Sequence, residues 1–268
     1  MGKPIESYGL IGDLQTAALV GRDGSIDWLC LPRFDSPACF ASLLHDESAG
    51  RWLLAPAEGG ECTRRQYQGD SLVLETEWEL PEGSVRVIDC MPPRGDNADV
   101  VRVVEGLTGR VAMSMELRLR FDYGRIVPWV HREAGDLAAI AGPDAIWLAT
   151  PVDLRGEDLT TYADFEVSAG DRVPFVMTHA VSYEKRPKPV DAFRAVKETE
   201  VFWTDWIKKC AYTGPDAEAV RRSLVTLKAL TYQPSGGIVA AVTTSLPEQI
   251  GGPRNWDYRY CWLRDATY

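Results

Sequence analysis

Four residues near the carboxyl end of the chain have side chains that could recognise a sugar. Tyr258, Trp262, Arg264 and Asp265 fall within eight consecutive positions of the stretch NWDYRYCWLRDATY, residues 255–268. A sugar presents hydroxyl groups around apolar C–H faces, so its pocket needs flat aromatic walls and charged groups that make charge-assisted hydrogen bonds. The same residues also fit a helix with a buried aromatic face and a solvated Arg-Asp pair. Composition alone leaves both interpretations open.

Three carboxylates near this stretch could in principle act as an acid or a base. Glu248 follows a proline in a loop and fits a solvated charge. Asp257 fits the first turn of a helix, where the macrodipole favours a negative side chain. Asp265 is better explained as the partner of Arg264 in sugar binding. The first 190 residues contain no common nucleotide-loop, nucleophile-elbow or zinc-protease motif. We therefore predict a catalytic role for none of these three carboxylates.

A second charged and aromatic cluster, DGSIDWLCLPRFDSP, spans residues 23–37. Trp28 together with the charges around it could form another sugar site. A structural explanation is simpler, because the opening Asp-Gly pair is a hairpin-turn signal and Arg33 with Asp35 can form an ion pair in a loop. We expect this structural role.

Composition narrows the classes of partner. The chain has 268 residues and a formal charge of -10, from 39 acidic and 29 basic residues, so a nucleic acid backbone would be repelled on average. No stretch approaches the roughly 20 apolar residues of a membrane span, and the first residues do not read as a secretory signal. We expect a soluble, cytoplasmic protein that binds neither nucleic acid nor membrane, and its oligomeric state stays open.

Cysteine and histidine spacing gives no indication of a metal centre. Six cysteines occur without a C-x-x-C pair, and three histidines lie far apart in sequence. Several cysteines have strongly apolar neighbours, which favours buried, reduced thiols over disulfides or zinc ligands. We predict no metal and no cofactor.

The spacing of apolar residues along the sequence divides the chain into a part that favours β-strands and a part that favours helices. From about residue 16 to 183 the apolar residues alternate with polar ones, as in MSMELRLRF at 113–121 and LVLETEWEL at 72–80. Turn signals separate the runs, including TGR at 108–110. On the order of a dozen strands in this arrangement favour an all-β antiparallel sandwich over residues 1–183.

After the basic, proline-rich stretch EKRPKPV at 184–190, apolar residues recur at the spacing of an α-helix. We interpret this stretch as part of a linker covering 184–212. A helix is predicted from about 191 to 209. A second is predicted from a capping box formed by Thr213 and Asp216, with Val220, Leu224 and Leu227 on one stripe. A third is predicted to begin at Pro253 and to carry the candidate sugar-binding residues. Because that helix is cut short, we expect residues 213–268 to begin a longer domain.

Two segments of the sequence resemble a known enzyme family. NWDYRYCWLRD is similar to the aromatic stretch of glycoside hydrolase family 15, the glucoamylase and trehalase-like enzymes, that lines the pocket for a terminal glucose. Residues 8–44, YGLIGDLQTAALVGRDGSIDWLCLPRFDSPACFASLL, resemble the amino-terminal trehalase-like domain of its bacterial and archaeal members. The resemblance implies an antiparallel β-sandwich, a helical linker and the beginning of an (α/α)6 barrel.

The resemblance also implies roles for the candidate residues. Arg264 and Asp265 match the pair that binds hydroxyls of the terminal glucose, Tyr258 matches the aromatic beside the developing oxocarbenium, and Trp262 matches a pocket tryptophan. The family hydrolyses α-glucosidic bonds of oligosaccharides or trehalose with inversion, using two glutamates that lie beyond the end of this chain. The fragment alone is therefore expected to be inactive. The alternative is a non-catalytic sandwich that binds carbohydrate or another partner.

Overall fold

The computed structural model describes residues 3–246, 248–249 and 251–267, with the side chains of residues 265 and 266 left undescribed. Within this part of the chain, fifteen β-strands are followed by three α-helices. The strands are β1 Tyr8–Gly12, β2 Ala17–Gly21, β3 Ser25–Cys30, β4 Ala38–Phe40, β5 Arg51–Pro56, β6 Arg64–Tyr67, β7 Leu74–Leu80, β8 Gly83–Cys90, β9 Ala98–Arg118, β10 Trp129–Glu133, β11 Asp136–Ala141, β12 Asp144–Ala149, β13 Arg155–Glu157, β14 Thr160–Ser168 and β15 Arg172–Val181. The helices are α1 Ala192–Ile207, α2 Ala217–Ala229 and α3 Leu263–Ala266.

The strands form two antiparallel sheets that enclose one core. The first sheet has the order β1-β2-β3-β5-β9-β14-β13, with β4 also paired to β3. The second has the order β6-β7-β8-β9-β15-β12-β11-β10. Phe165 of the first sheet lies against Phe175 of the second, with ring centroids 5.6 Å apart. The predicted all-β antiparallel sandwich is confirmed.

Strand β9 belongs to both sheets. Its first part pairs with β8 and β15, and its second part pairs with β5 and β14. The change of sheet falls at residues 106–109, where only glycine fits at either end. A Cβ on Gly106 would collide with the Ser168 carbonyl oxygen, and Gly109 has a φ of 58° and lies against the carbonyl of Glu82. The predicted turn at 108–110 is therefore wrong, because the chain passes through that point as one strand.

The alternation predicted for this strand is confirmed. Met113, Met115 and Leu117 are buried in the core between the sheets, whereas Ser114 and Glu116 on the opposite face are partly exposed. Burial of one apolar face against the opposing sheet is the main stabilising contribution expected of such a strand.

One ion pair lies entirely inside the sandwich. Arg102 donates from Nε to Asp89 at 2.7 Å, and neither side chain is more than 1% exposed. The same guanidinium donates to the carbonyl oxygens of Trp52 at 2.8 Å and Gly24 at 2.6 Å. Because Gly24 lies in the β2–β3 turn, this buried arginine fixes the predicted Asp-Gly turn to the core.

Helix α1 packs on the outer face of the second sheet. Its amino end is capped by Asp191, whose side chain accepts a hydrogen bond from the Arg194 amide at 2.9 Å. Further along, Trp203 is fully buried among residues of α2 and of the sandwich. The predicted helix at 191–209 is confirmed, and the predicted linker stretch 184–190 before it contains no helix or strand.

Helix α2 differs from its prediction in two respects. Asp216 precedes it in the left-handed region, with a φ of 61°, and its side chain makes no capping hydrogen bond. The helix buries Val225 and Ala229, whereas Leu227 is 50% exposed. The predicted capping box is thus wrong. Of the predicted stripe, Leu224 packs against the cluster around Trp203 but Leu227 does not, because the contact with α1 is centred on Val225 and Ala229. Over the described residues, no helix combines the length and apolarity needed to cross a membrane.

Candidate functional site

The candidate sugar-binding stretch is not a helix over most of its length. Residues 254–260 run alongside residues 240–246 and 248, and backbone hydrogen bonds join the two segments. These bonds run from Ala240 N to Tyr260 O at 3.1 Å, from Ala241 N to Tyr258 O at 2.8 Å, and from Ser245 N to Trp256 O at 3.1 Å. The helix predicted from Pro253 is therefore wrong, and α3 begins only at Leu263. The backbone groups bond to a neighbouring segment instead of to the next helical turn.

Two of the predicted residues nevertheless form a flat aromatic wall. The rings of Tyr258 and Trp262 are stacked, with centroids 5.3 Å apart and an interplanar angle of 11°. The indole N–H of Trp262 donates to the Asp257 carbonyl oxygen at 3.2 Å, which fixes the orientation of its ring. Both side chains are half-buried. Such a pair can pack against the C–H face of a sugar.

The charged pair follows this wall directly. Arg264 lies in α3 and is exposed, and its carbonyl oxygen accepts a hydrogen bond from the Thr267 hydroxyl at 2.8 Å. The side chain of Asp265 lies outside the described residues. Arg264 therefore follows Trp262 by two residues, at the start of α3, and the contact between arginine and aspartate stays a prediction.

A buried arginine that the sequence reasoning missed holds this segment in place. Arg259 donates twice to Asp257, from Nε at 3.0 Å and from Nη2 at 2.7 Å. Its Nη1 donates to the Ser36 carbonyl oxygen at 2.7 Å and contacts the sulfur of Cys30 at 3.5 Å. The guanidinium also lies 5.7 Å from the Tyr123 ring centroid. One side chain thus joins the carboxyl-terminal segment to the β-sandwich.

The same contacts with Arg259 determine the protonation state of Asp257. Partial burial acts to raise its pKa, but the hydrogen bonds and charge of Arg259 outweigh burial and lower the pKa below its usual range. Asp257 therefore stays ionised and serves as the partner of Arg259, not as a helix-start residue. Glu248 is exposed and pairs with Arg254 at 3.6 Å. The environment of Asp257 is therefore not that of a general acid, whose pKa must be raised.

Trp28 has a structural role. Its side chain is completely buried, and the indole N–H donates to the Val242 carbonyl oxygen at 2.7 Å. Val242 belongs to the stretch that pairs with the aromatic segment. The hydrogen bond from Trp28 therefore helps to hold the backbone of the candidate site against the β-sandwich. A sugar cannot reach this ring, and the expected structural explanation for the cluster at residues 23–37 holds for Trp28.

A cleft of about 350 Å³ lies where the β-sandwich meets the carboxyl-terminal segment. Its lining includes Arg33 and Asp35 of the β-sandwich and Tyr232, Tyr260 and Cys261 of the carboxyl-terminal part of the chain. We refer to it as the shared cleft. A larger cavity of about 430 Å³ lies between β10 and the β13–β14 hairpin and contains none of the predicted site residues. Among the residues described, no cluster of His, Cys, Asp or Glu could hold a metal ion.

Comparison with known families matches both parts of the chain. The family described as "Trehalase-like, N-terminal" matches residues 1–198, and "Glycosyl hydrolases family 15" matches residues 214–268. The second match contains the stacked aromatic pair, Arg264 and the Arg259 anchor.

Several curated proteins are similar over nearly the whole chain. A "Trehalase" of Mycolicibacterium smegmatis is 34% identical over 99% of this chain and 44% of its own length. A "Trehalase" of Thermoplasma volcanium is 30% identical over 98% of this chain and 43% of its own length. The chain thus spans less than half the length of these relatives.

Among solved structures, a "Putative kojibiose phosphorylase from human microbiome" aligns with a TM-score of 0.46 and 10% identity, over 89% of this chain and 37% of that one. At that score and identity the likeness carries no information about function.

Proposed function

The chain belongs to the trehalase-like N-terminal family, and from that premise we propose that it is the amino-terminal portion of an inverting α-glycosidase that cleaves terminal α-glucosidic bonds. The observation that carries the proposal is the stacked pair of Tyr258 and Trp262, which adjoins Arg264 inside the region matched by glycosyl hydrolase family 15. The pair offers an apolar wall for a sugar ring and the arginine offers charged donors for its hydroxyls.

Trehalose is the substrate that we propose among α-glucosides. The curated relatives that match 98% or more of this chain include proteins named trehalase from a bacterium and an archaeon. Malto-oligosaccharides and isomaltose-type sugars end in the same α-glucosyl group, so binding of that group alone does not distinguish them. The choice among these substrates depends on what contacts the second sugar.

Each residue of the site has a role in this proposal. Tyr258 packs beside the glucosyl ring where oxocarbenium character develops, and Trp262 supports that wall by stacking on it. Arg264 and Asp265 bind hydroxyl groups of the same glucose. In this proposal the two catalytic glutamates belong to the remainder of the barrel that residues 213–268 begin. Residues 1–183 form the sandwich domain and 184–212 the linker.

An inverting mechanism makes a specific prediction about the products. One carboxylic acid protonates the leaving oxygen while a carboxylate about 6.5 to 9.5 Å away activates water on the opposite face. The glucose that is attacked is released as the β-anomer, and the glucose that leaves keeps the α-configuration. Each trehalose therefore yields one β-glucose and one α-glucose.

The test is to incubate the complete natural protein with trehalose, maltose and isomaltose and to follow the anomeric proton signals by NMR before mutarotation. We expect glucose from trehalose, with equal α- and β-anomers in the first spectra. Only α-glucose as the early product would contradict inversion. A folded protein that binds glucosides but cleaves none would instead identify the non-catalytic carbohydrate-binding sandwich.

A further inference from the structure

A short loop of the β-sandwich presents an ion pair to the shared cleft. Arg33 donates to Asp35 from Nε at 2.8 Å and from Nη2 at 3.1 Å. The two side chains are 54% and 31% exposed, so a ligand in the cleft can reach both. The pair uses only part of its capacity, because a guanidinium carries five N–H donors and a carboxylate accepts about four hydrogen bonds.

Four contacts hold the loop that carries this pair in place. The Phe34 amide donates to the Gln15 carbonyl at 2.8 Å, and the buried Phe34 ring lies edge-on to Tyr232 with centroids 6.4 Å apart. Arg94 donates to the Pro32 carbonyl at 2.7 Å. The Ser36 carbonyl accepts the hydrogen bond from Arg259 described above. Loop and aromatic segment therefore keep a fixed relative position.

The carboxyl-terminal residues that line the shared cleft complement the ion pair. Tyr260 is 50% exposed and Cys261 is exposed, and both come directly before Trp262 of the aromatic wall. The cleft combines tyrosine rings with a guanidinium and a carboxylate, which is the combination that a sugar requires. Its volume lies at the lower end of the roughly 300 to 1,000 Å³ typical of small-molecule sites.

We propose that Arg33 and Asp35 hold the second sugar of the substrate, on the leaving-group side of the bond, and so make the β-sandwich part of the specificity site. The inference rests on the proposed function, because it assumes that Tyr258 and Arg264 hold the terminal glucosyl group. Arg33 donates to hydroxyl oxygens of the second sugar, and Asp35 accepts from its hydroxyl protons while fixing the guanidinium.

Stability does not account for this arrangement. An ion pair with this much solvent exposure, 54% for Arg33 and 31% for Asp35, contributes little to folding. The buried members of the loop, Phe34 and Ser36, already make its structural contacts. Substitution of Arg33 or Asp35 is therefore expected to leave the fold intact, which makes the pair accessible to mutagenesis.

The experiment compares two substrates that share the glucosyl group but differ in the leaving group. Trehalose has a second sugar, whereas α-glucosyl fluoride has only a fluoride ion. In the complete natural protein we would measure kcat/KM for both substrates with wild type, Arg33→Ala, Arg33→Lys and Asp35→Ala. The matched control is Arg194→Ala, another exposed arginine in an ion pair, at 2.7 Å to Glu198 on α1. Thermal unfolding checks each variant.

We expect Arg33→Ala and Asp35→Ala to lower kcat/KM for trehalose roughly tenfold or more, the loss expected for one hydrogen bond to a charged group. Hydrolysis of α-glucosyl fluoride should stay within about twofold of wild type. Arg33→Lys should recover part of the loss, because it keeps the charge without the planar fork. The control should change neither value.

Two results would overturn the inference alone: unchanged trehalose hydrolysis in folded Arg33→Ala, or an equal fall for both substrates, which would indicate a general effect on the site. A wild-type protein that hydrolyses neither substrate would overturn the proposed function and this inference with it.

Discussion

The contact between the β-sandwich and the aromatic segment can be tested by removing one guanidinium. Arg259→Met keeps an unbranched apolar side chain but deletes the donors to the Ser36 carbonyl and to Asp257. The structure therefore predicts that the variant keeps a folded sandwich and loosens residues 254–260 from their neighbours. The variant therefore distinguishes the attachment of residues 254–260 from the stability of the whole sandwich.

The expected magnitude follows from the contacts. A hydrogen bond from a charged donor contributes about 1.5 to 3 kcal/mol, and the Ser36 carbonyl becomes an unpaired buried acceptor when Arg259 is removed. Asp257 is 30% exposed, so water can partly replace the lost donors there. We take about 2 kcal/mol as the loss, which corresponds to a roughly thirtyfold larger local opening constant.

Amide hydrogen exchange measures this opening directly. The amides of Ala240 and Ala241 donate to carbonyl oxygens of the aromatic segment, so their exchange reports its attachment. We expect both to exchange roughly thirtyfold faster in Arg259→Met, while amides in β9 stay protected. The matched control is Arg254→Met, because Arg254 is 71% exposed and pairs with Glu248 at 3.6 Å.

The control should alter exchange by no more than about twofold, since exposed ion pairs contribute little. Unchanged protection of Ala240 and Ala241 in Arg259→Met would refute the assigned anchoring role. Equal loosening in both variants would show that charge in this segment matters, not the buried contact.

Three further predictions concern the sandwich and the thiols. Asp89→Asn leaves the buried charge of Arg102 uncompensated and should lower the free energy of unfolding by about 3 to 5 kcal/mol in urea titrations; a loss below about 1 kcal/mol would contradict that. Burial raises the pKa of Cys90 to about 12, so this thiol should resist a thiol reagent at pH 8, whereas the exposed Cys261 reacts first. Reaction of both at one rate would be inconsistent with the structure. Burial outweighs the ion pair of His179 and lowers its pKa, so the folded state favours the neutral ring. Its stability contribution is complete above the unfolded pKa of about 6.5 and is lost as the pH falls below it. His179→Gln should therefore lose less stability than wild type between about pH 7 and pH 5, and identical losses would count against this.

Much of the sandwich could be predicted because the alternation of apolar and polar residues within each strand indicates which of its faces is buried. In β9 the alternation of Met113, Met115 and Leu117 with polar residues is a local signal, and the opposing sheet confirms it. No local pattern in the sequence indicated that β9 passes from one sheet to the other. Gly109 looks like a turn residue, and its requirement arises from the approach of another strand. A residue's long-range neighbours are absent from any short window of sequence.

Long-range contacts also limited what could be predicted of the candidate site, and to a greater extent. Spacing alone suggested that Tyr258 and Trp262 share a helical face. The two rings do stack, but on a segment whose backbone pairs with residues 240–245. Arg259 gave no usable signal, because an arginine between two tyrosines is compatible with an exposed charge. Its partner carbonyl at Ser36 lies more than 200 positions away in sequence.

The most direct test of the central claim is glucose release from trehalose by the complete natural protein, wild type against Arg264→Ala, with Arg194→Ala as the control. If residues 258–265 hold the terminal glucose, the wild type and the control release glucose, and Arg264→Ala loses roughly 2 to 4 kcal/mol of transition-state stabilisation, read from kcat/KM. A folded Arg264→Ala protein with wild-type kcat/KM would contradict the account.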